Sequence, residues 1–386
     1  MDAEFEEKIS NPLIAGEYGE LQNEHIKVKV NPNGTFDVEC LDSGCKLTNL
    51  NLLHDEQDAG NQYNFAPAGN AFSSYAANGS MSLIVNSPIR AVWQVRTSIM
   101  TVDERLLDDM LDRRLGNDIP CVESPLAIEI GLNKESRRVD IAVEIDNRSS
   151  GHRLRASFPV GTSELQVNSV FDLINRSPEY LAEQINGIAP EQLAERPGCC
   201  MQGFLSTGEF MLAGRGLYEY KHLPKNNKLE LTLFRSSGTI NYDFEAWGSA
   251  EGGYLPGKTR LEYAFIPVPD STRATGLICE TESFLKPAYC RQYPANMEVS
   301  LTGPELNDTN LFFSTLKRHE KSNSTIFRFY NVSEKPANTG IRLGRHYREI
   351  WQVQLDESRI QLLAQDTDCL DVNLEPKKIM TLELCD

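Results

Sequence analysis

No stretch of this sequence approaches the roughly 18 apolar residues that a membrane helix requires. With a mean hydropathy of −0.39, the chain is expected to be soluble, with no membrane partner. Basic residues are also short: 38 Lys and Arg stand against 55 Asp and Glu, a net charge of −17. Affinity for phosphate backbones and anionic lipids rests on clustered Lys and Arg, so nucleic acid is not an expected partner. The start, Met1-Asp-Ala-Glu-Phe-Glu-Glu-Lys8, lacks the basic-then-apolar order of a signal peptide. A cytoplasmic location is expected.

Catalytic and metal-binding patterns are missing as well. The nine cysteines form no Cys-x-x-Cys and no Cys/His cluster with zinc spacing, and adjacent Cys199-Cys200 make poor ligands for one metal. An odd number of such thiols reads as free cysteine in a reducing compartment. The six histidines, His25, His54, His152, His222, His319 and His346, give no His-x-Asp and no His-x-x-x-His. There is no Gly-x-Ser-x-Gly elbow and no glycine-rich phosphate loop after a strand. Acidic residues abound, but their linear order does not show which two would flank a glycosidic bond. No catalytic residue and no metal ligand is assigned, and no cofactor is expected to be bound by this chain.

What is present is alternation. In Leu21-Gln-Asn-Glu-His-Ile-Lys-Val-Lys-Val30, Ile26, Val28 and Val30 alternate with charged residues. The turn Asn31-Pro-Asn-Gly34 follows, and Thr35-Phe-Asp-Val-Glu-Cys40 resumes the pattern, which spells a β-hairpin. Similar runs recur at 91–99, 126–130, 139–145, 229–234 and 259–266, and again at 297–301, 325–330, 349–353, 360–364 and 378–384. No βαβ rhythm appears, so the fold class is mainly β, with tandem antiparallel β-sandwich domains. Two stretches break the rhythm: 103–115 has leucines near helical spacing but reads equally as an irregular hairpin arm, and 178–196 reads as an excursion with short helical turns.

A length of 386 residues allows two or three domains at about 150 each. Residues 1–17 read as a lead-in and 18–270 as a large β-sandwich. Prolines 267, 269, 287 and 294 mark a linker over 271–293, and 294–386 read as a small immunoglobulin-like sandwich.

Three segments depart from a generic sandwich: residues 55–67, residues 146–159, and the series from Glu195-Arg-Pro-Gly198 through Gly214-Arg-Gly-Leu217 to residues 231–238 and 261–265. In order and spacing they resemble the C-terminal β-domains of family-38 glycoside hydrolases, the retaining α-mannosidases. The resemblance runs from about Leu21 to the C-terminus. It implies a galactose-mutarotase-like super-sandwich ahead of the small sandwich. It also implies an N-terminal catalytic domain elsewhere, holding a zinc ion and an Asp nucleophile, and a mannose-containing carbohydrate as ligand. The His-x-Asp of that catalytic domain is absent here. The chain thus looks like the non-catalytic portion, bracing the catalytic domain, completing its cleft, and inactive alone. The same part of a mannosylglycerate hydrolase and a stand-alone carbohydrate-binding module are the alternatives. Trp93, Trp247 and Trp351 mostly lie in strand-like patterns rather than on platforms. The oligomeric state stays open.

Two positions carry over from the resemblance as substrate-binding residues. Tyr63, in Gly60-Asn-Gln-Tyr63-Asn-Phe65-Ala-Pro67, matches a tyrosine that reaches towards the sugar subsite, although Asn61 replaces the Asp common in bacterial members. A phenol can bond a sugar hydroxyl while its ring packs on the sugar face. The other reading is a strand tyrosine satisfied at the sandwich rim. Arg153 follows His152 where the family has an Asn-Arg pair near the cleft, and in a mannosylglycerate hydrolase it would meet the substrate carboxylate. It reads equally as an interdomain salt bridge or a sheet-face arginine alternating with Arg155. His152 is expected to orient a loop. Residues 55–67, rich in Asp, Asn, Gln and Gly, are expected to form a loop that packs poorly by itself.

Overall fold

The computed structural model describes residues 12–63, 65–103, 120–162, 165–176, 198–238, 240, 251–268, 277–288 and 303–386. The strand expected at 297–301, the excursion at 178–196 and nearly all of 103–115 lie outside them. By contacts the chain divides into two compact units, Met1–Val167 with Asn175–Pro287, and Asn168–Ile174 with Ala288–Asp386.

The first unit opens with a meander of five short strands, Ile14–Ala15, Glu20–Gln22, Ile26–Val30, Phe36–Cys40 and Lys46–Leu50, paired in chain order. The end of the expected lead-in is therefore already strand. In the hairpin, Val28 faces Val38 and both strands bury every second residue. Its turn needs glycine twice over: Gly34 has φ +83°, and a β-carbon there would sit 2.2 Å from Ile128 Cδ1.

Two larger antiparallel sheets make the sandwich. One runs from Leu165–Ser169 through Phe204–Ser206, Phe210–Gly214, Gly257–Pro267, Val139–Asn147, Cys121–Asn133 and Arg90–Val102 to the edge strand Ser80–Asn86. The other is six-stranded, in the order Gly198–Cys200, Glu219–Leu223, Lys228–Ser236, His152–Pro159, Leu52–Asp58, Pro67–Ser73. Phe158 from the second sheet packs on Phe210 and Phe265 of the first, with ring centres 6.0 Å away in each case. Phe36 of the meander meets Phe265 edge-on at 5.6 Å, so one core joins all three sheets. Each such ring contributes about 1.5–3 kcal/mol through burial. The stretch expected as linker contains the helix Ile278–Leu285, which belongs to the first unit and buries Ile278, Thr281 and Phe284. Prolines on either side gave the sequence a linker's look, while three buried positions in eight residues pin the segment down.

The second unit is a sheet ordered Leu311–Arg318, Thr325–Asn331, Ile379–Cys385, Ala337–Val353, Arg359–Leu374. Its last two strands form a long hairpin whose register shifts between Arg342 and Tyr347. Ile341, Leu343, Leu370 and Val372 from the far end share one core with Phe327, Phe329 and Leu382. The hairpin thus folds back over the sheet, giving two layers from one ladder. Among the described residues, no helix is long and apolar enough to cross a membrane.

Candidate functional site

Residues from all three segments singled out in the sequence lie on the six-stranded sheet, in its strands Leu52–Asp58, His152–Pro159 and Lys228–Ser236, while 214 and 261–265 lie in strands of the larger sheet. In the six-stranded sheet His152–Pro159 lies between Leu52–Asp58 and Lys228–Ser236. Alternation sends Leu154, Ala156 and Phe158 into the core and Arg153 and Arg155 to the opposite face. Both arginines are nevertheless fully buried. Buried charges persist only when paired, and these are paired across strands. Arg153 donates to Glu56 Oε2 at 3.2 Å and to Glu219 Oε1 at 3.0 Å. Arg155 lies 2.6 Å from Glu230 and 3.0 Å from Glu56 Oε2. Arg235, opposite Arg153 on the neighbouring strand, bonds Asp58. Burial opposes ionisation of Glu56, but the His54 hydrogen bond and the charges of Arg155 and Lys221 outweigh it and hold its carboxyl below the usual range.

A short loop covers this ionic layer. The strand continues to Asp58 and resumes at Pro67, so the loop is only 59–66, shorter than the expected 55–67. Nor do its described residues lack local bonds. Ala59 donates to the Ala66 carbonyl at 2.8 Å, and Asp58 Oδ1 accepts from the amides of Gly60 at 2.8 Å and Ala66 at 3.1 Å. Asn61 Oδ1 accepts from the Tyr63 amide at 2.9 Å. The polar composition that suggested a loose segment supplies these local bonds instead. Phe65, 6% exposed, lays its ring 3.3 Å from the Arg153 guanidinium carbon, with Arg155 at 5.6 Å and Arg235 at 5.9 Å. Two residues earlier, Tyr63 is 77% exposed.

His152 sits on the core side of the same strand. Its Nδ1 is 2.7 Å from Asp55 Oδ2 and its Nε2 is 3.0 Å from Asn147 Oδ1. Asn147 gives its amide hydrogens to the carbonyls of Tyr254 and Leu255, so its oxygen is the acceptor and Nε2 carries hydrogen. One further proton lies between Nδ1 and Asp55, whose carboxyl burial pushes up despite the attraction of His152. The pair ties the Leu52–Asp58 strand to the turn 147–151, where the Gly151 carbonyl accepts from the Asp58 amide at 2.7 Å. His152 is fully buried and has the geometry of a brace.

The structure places Tyr63 two residues from Phe65, the ring that covers Arg153, and leaves the two predicted residues in different settings. The tyrosine is open to solvent, while the arginine lies beneath Phe65 with a carboxylate on each amino end. Phe65, Glu56, Arg155, Arg235 and Asp58 were not singled out from the sequence. The signal for them was the period-two match of Arg153 and Arg155 to His54, Glu56 and Asp58, which becomes visible only once the strands are known to be neighbours. Among the described residues, no group of three or more His, Cys, Asp or Glu side chains could hold a metal ion.

Fold and site together define a tandem β-sandwich protein with a buried ionic layer covered by Phe65 and an exposed tyrosine two residues away. The model for the glycosyl hydrolases family 38 C-terminal domain matches residues 21–239, and that for the family's C-terminal beta sandwich domain matches 310–382. The chain belongs to glycosyl hydrolase family 38, and the parts matched are its C-terminal domains. A Halalkalibacterium halodurans protein named "Putative mannosylglycerate hydrolase" is 24% identical over 392 residues, covering 94% of this chain and 41% of its own length. An alpha-mannosidase from Enterococcus faecalis V583 superposes with a TM-score of 0.80 at 18% identity, over 97% of this chain and 43% of that one. Another solved structure, of a glycosyl hydrolase family 38 protein from Enterococcus faecalis, gives 0.79 at 18% identity, covering 97% and 45%. This chain spans less than half the length of each.

Proposed function

We propose that this chain is the non-catalytic β-domain portion of a retaining α-mannosidase-like glycoside hydrolase, and that Tyr63 forms part of its sugar subsite. The N-terminal catalytic portion, its zinc ion and its nucleophile are the partners this reading requires, and the chain braces that portion while completing the cleft wall. The observation that carries it is the exposed phenol of Tyr63 on a loop fixed at both ends by Asp58. An exposed aromatic side chain on a rigid loop serves recognition without a large ordering cost. The thiols of Cys40, Cys45, Cys200, Cys279, Cys369 and Cys385, free of disulfides, support a cytoplasmic setting.

The Halalkalibacterium halodurans relative favours a second reading, hydrolysis of a mannosyl group attached to glycerate. In that reading Arg153 is a poor partner for the glycerate carboxylate, because Glu56 and Glu219 already occupy it. Another cation, in the catalytic portion, would have to meet the substrate.

The test compares this chain alone with the chain joined to its catalytic portion, on an aryl α-mannoside and on mannosylglycerate. The chain alone should bind no stoichiometric zinc and show no turnover. In the joined enzyme, Tyr63→Phe should lower kcat/KM by roughly ten- to a hundredfold, the loss of one hydrogen bond that strengthens in the transition state. Chelator-sensitive turnover by the chain alone would overturn the fragment reading, and an unchanged kcat/KM would remove Tyr63 from the subsite.

A further inference from the structure

We infer that Arg153 is a positioning residue: it sets the place of Tyr63 through the ring of Phe65 and does not itself touch the sugar. This deepens the reading of Tyr63 as a sugar contact and rests on it.

The geometry leaves Arg153 little else to do. Its guanidinium is fully buried, its amino ends are engaged by Glu56 and Glu219, and Phe65 covers it at 3.3 Å. A ligand hydroxyl could reach it only after displacing Phe65, whose removal would also dismantle the loop. The loop is held at three points. Asp58 gathers both ends by accepting from Gly60 and Ala66, and the Phe65 ring, beside the second of these, presses that end onto a layer of three cations, Arg153, Arg155 and Arg235. Tyr63 is two residues from Phe65, a chain distance of at most about 7 Å. Any shift of the ring therefore moves the phenol. Misplacing a group by about 1 Å costs as much as a hundredfold in rate.

The chemistry also explains why arginine stands here. A planar guanidinium presents a flat face to an aromatic ring while its edge bonds two carboxylates, whereas a lysine ammonium does one or the other. Arg153→Lys should thus keep the charge and lose the platform.

Two measurements decide it. The first is hydrogen exchange on this chain, with no enzyme activity involved. Arg153→Lys and Phe65→Leu should each speed exchange at the amides of Gly60, Tyr63 and Ala66 at least tenfold, while Phe65→Tyr, which retains the ring, should not. Unchanged exchange in Phe65→Leu, which alters only the covering loop and is the safer variant to fold, would overturn the inference. The second is a double-mutant cycle in the enzyme joined to its catalytic portion. Arg153→Lys should lower kcat/KM about tenfold in the native background and have little further effect beside Tyr63→Phe, because both act on one phenol. Multiplicative losses would mean that Arg153 acts on its own, and the inference would fall while Tyr63 kept its role. If Tyr63→Phe alone changes nothing, the subsite reading fails, and exchange still decides whether Arg153 holds the loop.

Discussion

Glu56 is the joint of the buried ionic layer, and neutralising it tests how that layer is held. One oxygen, Oε2, serves Arg153 at 3.2 Å and Arg155 at 3.0 Å, while Oε1 meets His54 Nε2 at 3.3 Å. At an effective dielectric of about 20, each contact near 3 Å has a Coulomb energy of roughly 5 kcal/mol before desolvation is counted. Glu56→Gln keeps the shape and one acceptor, and Arg153 and Arg155 retain Glu219 and Glu230. The net cost at pH 7 is therefore expected near the lower end for a broken buried pair, about 3 kcal/mol, or a hundredfold in the folding equilibrium. The pH dependence carries the sign. The folded carboxyl titrates below its usual range, so its contribution is fully present above the unfolded value, about pH 4.3, and is lost as pH falls through the lower folded value. The gap between the two proteins should be wide at pH 7 and 5, narrow below pH 4, and closed once native Glu56 is protonated. Urea unfolding at fixed ionic strength measures it. Carrying Trp351→Phe in both proteins removes the tryptophan of the second unit and leaves Trp93 of the first as a probe. A gap that is the same at pH 7 and pH 3, or below about 1 kcal/mol at pH 7, would refute the reasoning.

His152→Ala should destabilise the first unit by about 3 kcal/mol, because Asp55 would remain fully buried without its partner; a loss under 1 kcal/mol in urea unfolding would show that the pair is not a brace. Gly34→Ala should cost about 1–3 kcal/mol from its positive φ and the contact with Ile128 Cδ1. Adding Ile128→Val, which removes that Cδ1, should cost less in the Gly34→Ala background than in the native one, and equal costs would dismiss the clash.

Much of this fold was legible because its strands bury one face each. Ile26, Val28 and Val30 announce a strand by alternation, and the Asn33-Gly34 turn announces its partner. The outer face of the six-stranded sheet was harder to read for the same reason. Arg153 and Arg155 occupy the positions that alternation assigns to solvent, yet a loop from elsewhere in the chain buries them. Linear order carries no record of which carboxylates stand across the ladder from an arginine, so Glu56, Glu219 and Glu230 could not be paired with them beforehand. The loop misled in another way. Asp58, Gly60 and Asn61 form local hydrogen bonds in a tight turn as readily as they accompany disorder, and composition alone does not distinguish the two. Tyr63 enters as a candidate through resemblance to a family alone, and alternation would never have selected it.

The ionic layer raises the question of what its burial achieves, and one exchange of residues answers it. Arg155 and Glu230 lie 2.6 Å apart, the first fully buried and the second nearly so. Desolvating such a pair consumes most of its attraction, so well-packed apolar replacements commonly match or exceed its stability. Arg155→Met alone should cost about 3 kcal/mol, since among the described residues Glu230 then keeps only Lys228, at 3.3 Å. Arg155→Met with Glu230→Leu should restore most of that loss, leaving Glu56 with Arg153 and His54. Stability would then be near native while the cationic bed under Phe65 is thinner by one guanidinium. If the layer exists to hold the loop, the double variant should unfold at nearly the native urea concentration yet exchange faster at Tyr63 and Ala66. A double variant as unstable as the single one would mean that the pair is there for stability. Native exchange in a stable double variant would show that Arg153 and Arg235 suffice to seat the ring.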